Sequence, residues 1–279
     1  MAPTRFLRRK NLAEAVLLAR WLRPEALLAT TSGACSPDEE PYAKRLRDAA
    51  RAGRWNVRFG ILEKSGAGGV AILLRSAEAV VLSSVQEGFG MAFVEAASAG
   101  IPLVGRALPA VLPDLRRMGF RFPHLYRGVM VDPQLIDLEA ENRRRKLLFE
   151  KVRKALPKVL RARLGRFEIP KGAAIDFARL THTGQLEVLG CDPQTAWKIC
   201  RPLNPPLRKI ENLAAFGGLQ PTPWPAKVEN TNAAYARRFL EIASSAFLKR
   251  QRFDASAAQR RLLRAALGSD AIFPILLEP

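Results

Sequence analysis

Along the first half of the chain, apolar residues fall into two kinds of run that alternate. Leu12 to Leu22 repeats its apolar positions at steps of three and four, the period of a helix with one buried face. Asn11 followed by Glu14 predicts the cap of that helix. "ALLATT", Ala26 to Thr31, is short and largely apolar, which predicts a buried strand. A polar loop with Gly33, Pro37 and Pro41 follows, then a helix from about Glu40 to Ala52 and a strand over "NVRFGIL", Asn56 to Leu62. Gly69 to Ala77 reads as a helix, "AVVLSS" (Ala79 to Ser84) as another buried strand, about Met91 to Ala99 as a helix and "IPLVG" (Ile101 to Gly105) as a strand. Apolar strands set between helices predict a parallel sheet covered on both faces, an α/β, Rossmann-like doubly wound unit. Ligands of such sheets sit beyond the carboxyl ends of the strands, where "EGFGMAFVE", Glu87 to Glu95, is expected.

Beyond about Val131 this rhythm stops. Residues 136–164 read as helical with a break at Pro157, and 165–230 are interrupted by proline and glycine without a clear period. Asn232 to Arg250 and Ala255 to Leu267 read as two closing helices. The proline-dense stretch Pro202 to Pro225 keeps apolar residues throughout, which predicts an ordered loop wrapped on a core rather than a free linker. The expected organisation is an α/β domain over 1–135 and a mostly helical or irregular C-terminal extension over 136–279.

Composition narrows the setting. A chain of 279 residues with 48 % apolar content can bury a sizeable core. No apolar run reaches the roughly 18 residues that cross a bilayer, and the N-terminus lacks the apolar core of a secretory signal. Cys35, Cys191 and Cys200 are odd in number and without metal-ligand spacing, as reduced thiols of a cytoplasmic protein would be. The formal net charge of +19 attracts nucleic acid, anionic membrane and phosphorylated ligands alike. From Arg143 to Arg166 there are eleven Lys or Arg residues against Glu150 alone, with leucines and valines at helical steps. Two readings stand: a solvated helix face packed by its apolar side, or a surface for an anionic membrane, which would make the protein membrane-peripheral, or for an acidic partner. A nucleic-acid-binding module is a weaker expectation, because Phe149, Phe167, Trp197 and Trp224 are not interleaved with the basic run on one face.

Charge acquires chemistry in the glycine loop. Gly88 and Gly90 let backbone approach a ligand closely, and the helix beginning near Met91 offers free N–H groups and the positive end of its dipole. Two carboxylates flanking such a loop, Glu87 and Glu95, are natural acceptors for paired sugar hydroxyls. His124 and His182 lie outside any ligand motif and there is no D-x-D pair, so no metal is expected.

"VVLSSVQEGFGMAFVEAASAGIPLVG", Val80 to Gly105, resembles the donor-binding loop of retaining glycosyltransferases of the GT-B fold, in particular family 4. The resembling residues are Ser84, Glu87, Gly88, Phe89, Gly90, Glu95, Ala96, Gly100, Ile101 and Pro102. Upstream, "RFLRRKN" places Arg5 and Lys10 with four residues between them, as in the family's phosphate-binding turn, with Asn11 where the family usually has glycine. Asparagine tolerates the left-handed backbone region better than most residues. The resemblance implies a metal-independent retaining transferase that uses a nucleotide-sugar such as a UDP- or GDP-sugar as substrate and needs no cofactor. Arg5 and Lys10 would neutralise the diphosphate, Glu87 would meet the transferred sugar, and Glu95 would hold the ribose. The backbone around Phe89, Gly90 and Met91 would face sugar and phosphate.

The resemblance covers roughly residues 3 to 132, a single donor half of a GT-B fold. The acceptor half and the strand leading into the Arg/Lys turn are expected to be missing, which points to a truncated transferase or one completed by a separate N-terminal acceptor-domain partner. The acceptor, whether saccharide, lipid or small molecule, is not legible. A non-catalytic partner subunit or a degenerate, inactive relative is the alternative.

Overall fold

The computed structural model describes residues 1–63, 69–161, 164, 167–226, 236–237, 239–241, 244, 254–267 and 272–278. Its first part alternates helices and strands in the expected order: α1 (Leu12–Leu22), β1 (Leu28–Ala29), α2 (Glu40–Ala52), β2 (Val57–Arg58), α3 (Gly69–Arg75), β3 (Val80–Leu82), α4 (Met91–Ser98), β4 (Leu103–Arg106), α5 (Leu112–Arg117) and β5 (His124–Tyr126). The second part comprises β6 (Met130–Val131), α6 (Leu138–Ala155), α7 (Lys158–Arg161), β7 (Ile175–Asp176), α8 (His182–Gly190), α9 (Pro193–Cys200), α10 (Pro205–Ala215) and α11 (Ala255–Leu267).

All pairings in the first part are parallel. β1 runs beside β2, and β3, β4 and β5 lie side by side with Val80 opposite Leu103 and Val104 opposite His124. The two groups are joined by the first residues of the chain. Ala2 N–H donates to Ala29 O, and Val81 N–H donates to Met1 O, both at 2.8 Å. Met1 and Ala2 thus occupy a strand position between β1 and β3. This corrects the expectation that the strand leading into the Arg/Lys turn is missing; two residues are too few to carry a hydrophobic period, and only their partners reveal the pairing.

Side-chain alternation along β3 and β4 explains the two-faced burial. Val80, Leu82 and Leu103 enter one apolar cluster with Leu74, Phe93, Leu112 and Leu115 of α3, α4 and α5. Val81 and Val104 point the other way, into a second cluster built on Leu12, Val16, Leu17 and Trp21 of α1. Val188, Leu189, Trp197, Leu207 and Ile210 of α8, α9 and α10 join that second cluster. Burying an aliphatic side chain contributes about 1.5–3 kcal/mol, so the later helices share in stabilising the sheet.

Within the stretch 165–230, the described residues 167–226 are therefore more regular than the sequence period suggested. Its helices are short, and local caps rather than a long amphipathic repeat delimit them. Thr181 accepts from Gly184 N–H at 3.2 Å and Asp192 from Thr195 N–H at 2.8 Å. The proline-dense stretch is ordered as expected: Pro221 bridges Pro102, and Trp224 meets Phe120 edge-on at 5.3 Å. Asn232–Arg250 lies largely outside the described residues, whereas α11 forms where the period placed it.

In the basic run, α6 ends at Ala155, ahead of Pro157. Most of its cations face water, but Arg145 is buried and donates to Phe167 O at 2.6 Å and to Arg179 O. Arg144 bridges Glu141 and Glu187. The solvated-face reading thus holds for only part of the run, because Arg145 satisfies two backbone carbonyls and Arg144 the buried Glu141 and the half-buried Glu187. No helix among the described residues is long and apolar enough to cross a membrane.

A buried polar cluster ties α1 to the sheet. Glu14 of α1 accepts from Arg106 Nε at 3.0 Å, Arg106 Nη2 at 2.5 Å, Tyr126 Oη at 2.8 Å and Asn11 Nδ2 at 2.9 Å. Arg106 also makes a fork with Asp176, at 2.7 and 2.8 Å. Burial pushes the Glu14 carboxyl above its ordinary range while the Arg106 charge opposes it. For Arg106, burial opposes the charge, but Glu14 and Asp176 together raise its pKa well above the usual value. Removing one partner leaves the other charge buried without compensation. Arg106→Ala is therefore expected to cost about 3–5 kcal/mol, read from the shift in urea unfolding; a loss within error of zero would show that the pair does not hold α1 in place.

Candidate functional site

The site forms where β3 ends. Arg8–Lys10 make one turn of 3-10 helix, and Asn11 follows with φ 47° and ψ 52°, the left-handed conformation that glycine would adopt freely. Asn11 does not cap α1 with its side chain, contrary to expectation. Its amide instead donates to Glu14, and its Oδ1 accepts from Gln185 Nε2 of α8 at 3.0 Å. The left-handed backbone directs the side chain inward to those buried partners and away from the first N–H groups of the helix.

The exit of β3 is stitched to this turn. Ser83 Oγ lies 3.0 Å from the carbonyls of both Lys10 and Asn11, and Val85 N–H donates to Arg9 O at 2.8 Å. Lys10 is thereby carried to Glu87. Lys10 Nζ pairs with Glu87 Oε1, Ser84 Oγ donates to the same oxygen at 2.6 Å, and Arg9 Nη1 reaches Oε2 at 3.2 Å. Burial pushes the Glu87 carboxyl up, but hydrogen bonds from Lys10 and Ser84, with the charges of Lys10 and Arg9, hold it below the usual carboxylate range.

Beside this cluster, α4 begins. Gly90 sits at its N-terminus with φ 82°, and a Cβ there would fall 2.4 Å from Val111 Cγ1, so glycine is required twice over. Gly88 differs, because a Cβ there would meet nothing within 4 Å. Its bareness leaves backbone accessible from solvent. Among the described residues no side chain caps α4 and no acid occupies its first turn, and Phe89 and Met91 beside that start are exposed.

Of the residues expected to act together, Lys10, Ser84 and Glu87 share one hydrogen-bonded cluster, with Gly88, Phe89, Gly90 and Met91 as the adjoining loop. Arg5 and Glu95 are exposed, and their side chains make no ion pair or hydrogen bond among the described residues. Arg9 was missed by reasoning from spacing, which selected Arg5 from a run of cations. Arg8 is committed elsewhere, to Glu39 at 3.3 Å, Asp38 O at 2.9 Å and Glu278 O. Only the handedness of the turn distinguishes these neighbours; no sequence signal does.

The two histidines belong to the packing. His124 Nε2 accepts from Gln220 N–H at 2.8 Å. His182 is buried against the Tyr42 ring at 4.5 Å, and burial, reinforced by Arg45, lowers its pKa to about 3. Among the described residues no group of three or more His, Cys, Asp or Glu side chains could hold a metal ion.

A family model described as "Glycosyl transferases group 1" matches residues 3–156, more than half of the chain. No curated protein and no solved structure matches it.

Because the folded-state pKa of Glu87 is depressed, its contribution to stability is present above the unfolded value of about 4.3 and is lost as pH falls through the folded value. Urea unfolding between pH 7 and 3 should show this loss, and Glu87→Gln should remove that part of the acid limb. An identical acid limb in the variant would mean that the cluster carries no folding linkage.

Proposed function

The chain belongs to the group 1 glycosyl transferases, and on that premise we propose that it is the donor-binding half of a retaining, metal-independent transferase of the GT-B type. Membership implies a nucleotide-sugar donor and an acceptor. The observation that carries the finer reading is the convergence of Lys10, Arg9 and Ser84 on Glu87 beside the uncapped start of α4. A diphosphate placed there meets Lys10, Arg9 and, from the exposed face, Arg5. Amides around Phe89, Gly90 and Met91 complete its cradle. Glu87 accepts hydroxyls of the transferred sugar, and Glu95, unengaged on the outer face of α4, accepts those of the ribose.

The chemistry follows from charge. Cleaving the bond between the anomeric carbon and the diphosphate places negative charge on the leaving oxygen, and cations already in position stabilise it as it develops. Lys10 is paired with Glu87, so its charge is released to the diphosphate as the sugar hydroxyls take over the carboxylate. The acceptor is supplied by a second half, a separate domain or partner chain.

Calorimetric titration with UDP and GDP, without added metal and with a chelator present, tests the reading. Heat is expected with at least one nucleotide, and Glu95→Ala should weaken it about tenfold or more, the loss of a hydrogen bond to a charged acceptor. Silence with both nucleotides would overturn the proposal. Glu87→Gln separates the two roles of the carboxylate: it frees Lys10, so the bare nucleoside diphosphate should bind several-fold more tightly, while sugar transfer in the presence of the acceptor half collapses. Weaker nucleotide binding in that variant would contradict the assigned exchange.

A further inference from the structure

At the end of α1 remote from Lys10, the chain folds around a cavity of about 690 Å³. Its wall joins the last turn of α1 to the start of α9 and to α10, and five cations line it: Arg20, Arg23, Lys198, Arg201 and Arg208. Two carboxylates, Glu25 and Glu211, face them, and both are already engaged. Glu211 accepts from Trp197 Nε1 and from Arg201 Nε, each at 2.7 Å, and Glu25 accepts from Arg23 Nε at 2.5 Å.

Part of the remaining charge is met from outside the wall, Arg23 by Glu78 at 3.2 Å and Arg20 by the nearby Asp192, which leaves Lys198 and Arg208. Side chains of Lys198 and Arg208 make no ion pair or hydrogen bond among the described residues. Arg20 donates to the carbonyl of Leu189 and lies over Trp55, 4.7 Å from the ring centre, and burial lowers its pKa against the opposing charge of Asp192. Like charges gathered on a concave wall repel one another and focus a positive potential into it. The wall is also organised: Glu211 pins the Trp197 indole and the Arg201 guanidinium in one arrangement, so an incoming anion need not order them.

We propose that this cavity is a second binding site, separate from the Lys10–Glu87 cluster, and that it takes a phosphomonoester. A phosphate dianion matches the charge left on Lys198 and Arg208, and the guanidinium groups can bind its oxygens in forks. The volume exceeds that of phosphate alone, and Trp21, Pro24, Pro193 and Trp197 provide apolar wall for the organic part of the ester. An adjoining, mainly apolar cavity of about 480 Å³ shares Leu22, Arg23 and Glu25 with it. The same phosphate chemistry could therefore arrive on a soluble ester or as the headgroup of a lipid.

Titration of the full chain with glycerol 3-phosphate tests the site. Lys198→Ala combined with Arg208→Ala should weaken binding at least tenfold, and both residues are exposed, so an unchanged thermal melt verifies the fold. Lys151→Ala with Lys154→Ala removes the same charge from exposed positions of α6 and should leave binding unchanged. Equal affinity of the cavity variant and the wild type, or an equal loss in the α6 variant, would overturn the proposal. Lysophosphatidic acid below its micellar concentration distinguishes the sources: tenfold tighter binding than glycerol 3-phosphate supports the lipid headgroup, and equal affinity supports a soluble ester. These outcomes are independent of whether UDP or GDP binds near Lys10.

Discussion

A single buried carboxylate, Glu14, constrains the rest of the molecule. It lies on the first turn of α1, inside the fold, and its two oxygens receive four donors from the Lys10 turn, β4 and β5. A charge so placed is costly to bury and is tolerated only with near-complete hydrogen bonding. Arg106 meets that demand and, through its second fork, draws Asp176 and the start of the C-terminal part onto the same point. The register of α1 on the sheet, the entry of the chain into that helix and the docking of β7 are thus set by one set of mutually dependent contacts.

The consequence for the site is geometric. Asn11 belongs both to the buried network and to the turn that presents Lys10, so the position of the lysine is fixed from below by Glu14 and Gln185. Ser83 and Val85 fix it from the side of the sheet. The C-terminal part contributes directly: Gln185 comes from α8, and Glu278 receives the Arg8 side chain on its carbonyl and the His182 N–H on its carboxylate. A second buried acid, Glu141, repeats the device by binding the N–H and hydroxyl of Thr181 at 2.7 and 2.6 Å, which joins α6 to α8. Segments without an obvious repeat therefore hold the loop that carries the chemistry.

Much of this was legible in the amino-acid order. The alternation of amphipathic helices and short apolar runs placed α1, α2, β3, α4 and β4 within a few residues, because burial on one face or two leaves a period. The glycines of the EGFG stretch marked the loop and the helix that starts beyond it, and family membership bears out a glycosyl transferase. Short elements were less legible. Met1 and Ala2 pair in the sheet, and α8 to α10 are capped one by one, so neither leaves a long pattern to count.

By itself, the sequence determined the α/β class, the order of the elements, the place of the glycine loop and the excess of positive charge, since each depends on local period or on composition. Tertiary structure alone decided which of four neighbouring cations does what. Lys10 and Arg9 face Glu87, Arg8 turns to the C-terminal tail and Arg5 remains in solvent. The reason is that a side chain's direction follows the backbone angles of its own turn, and the left-handed Asn11 that sets them is held by partners 3 and 174 positions away.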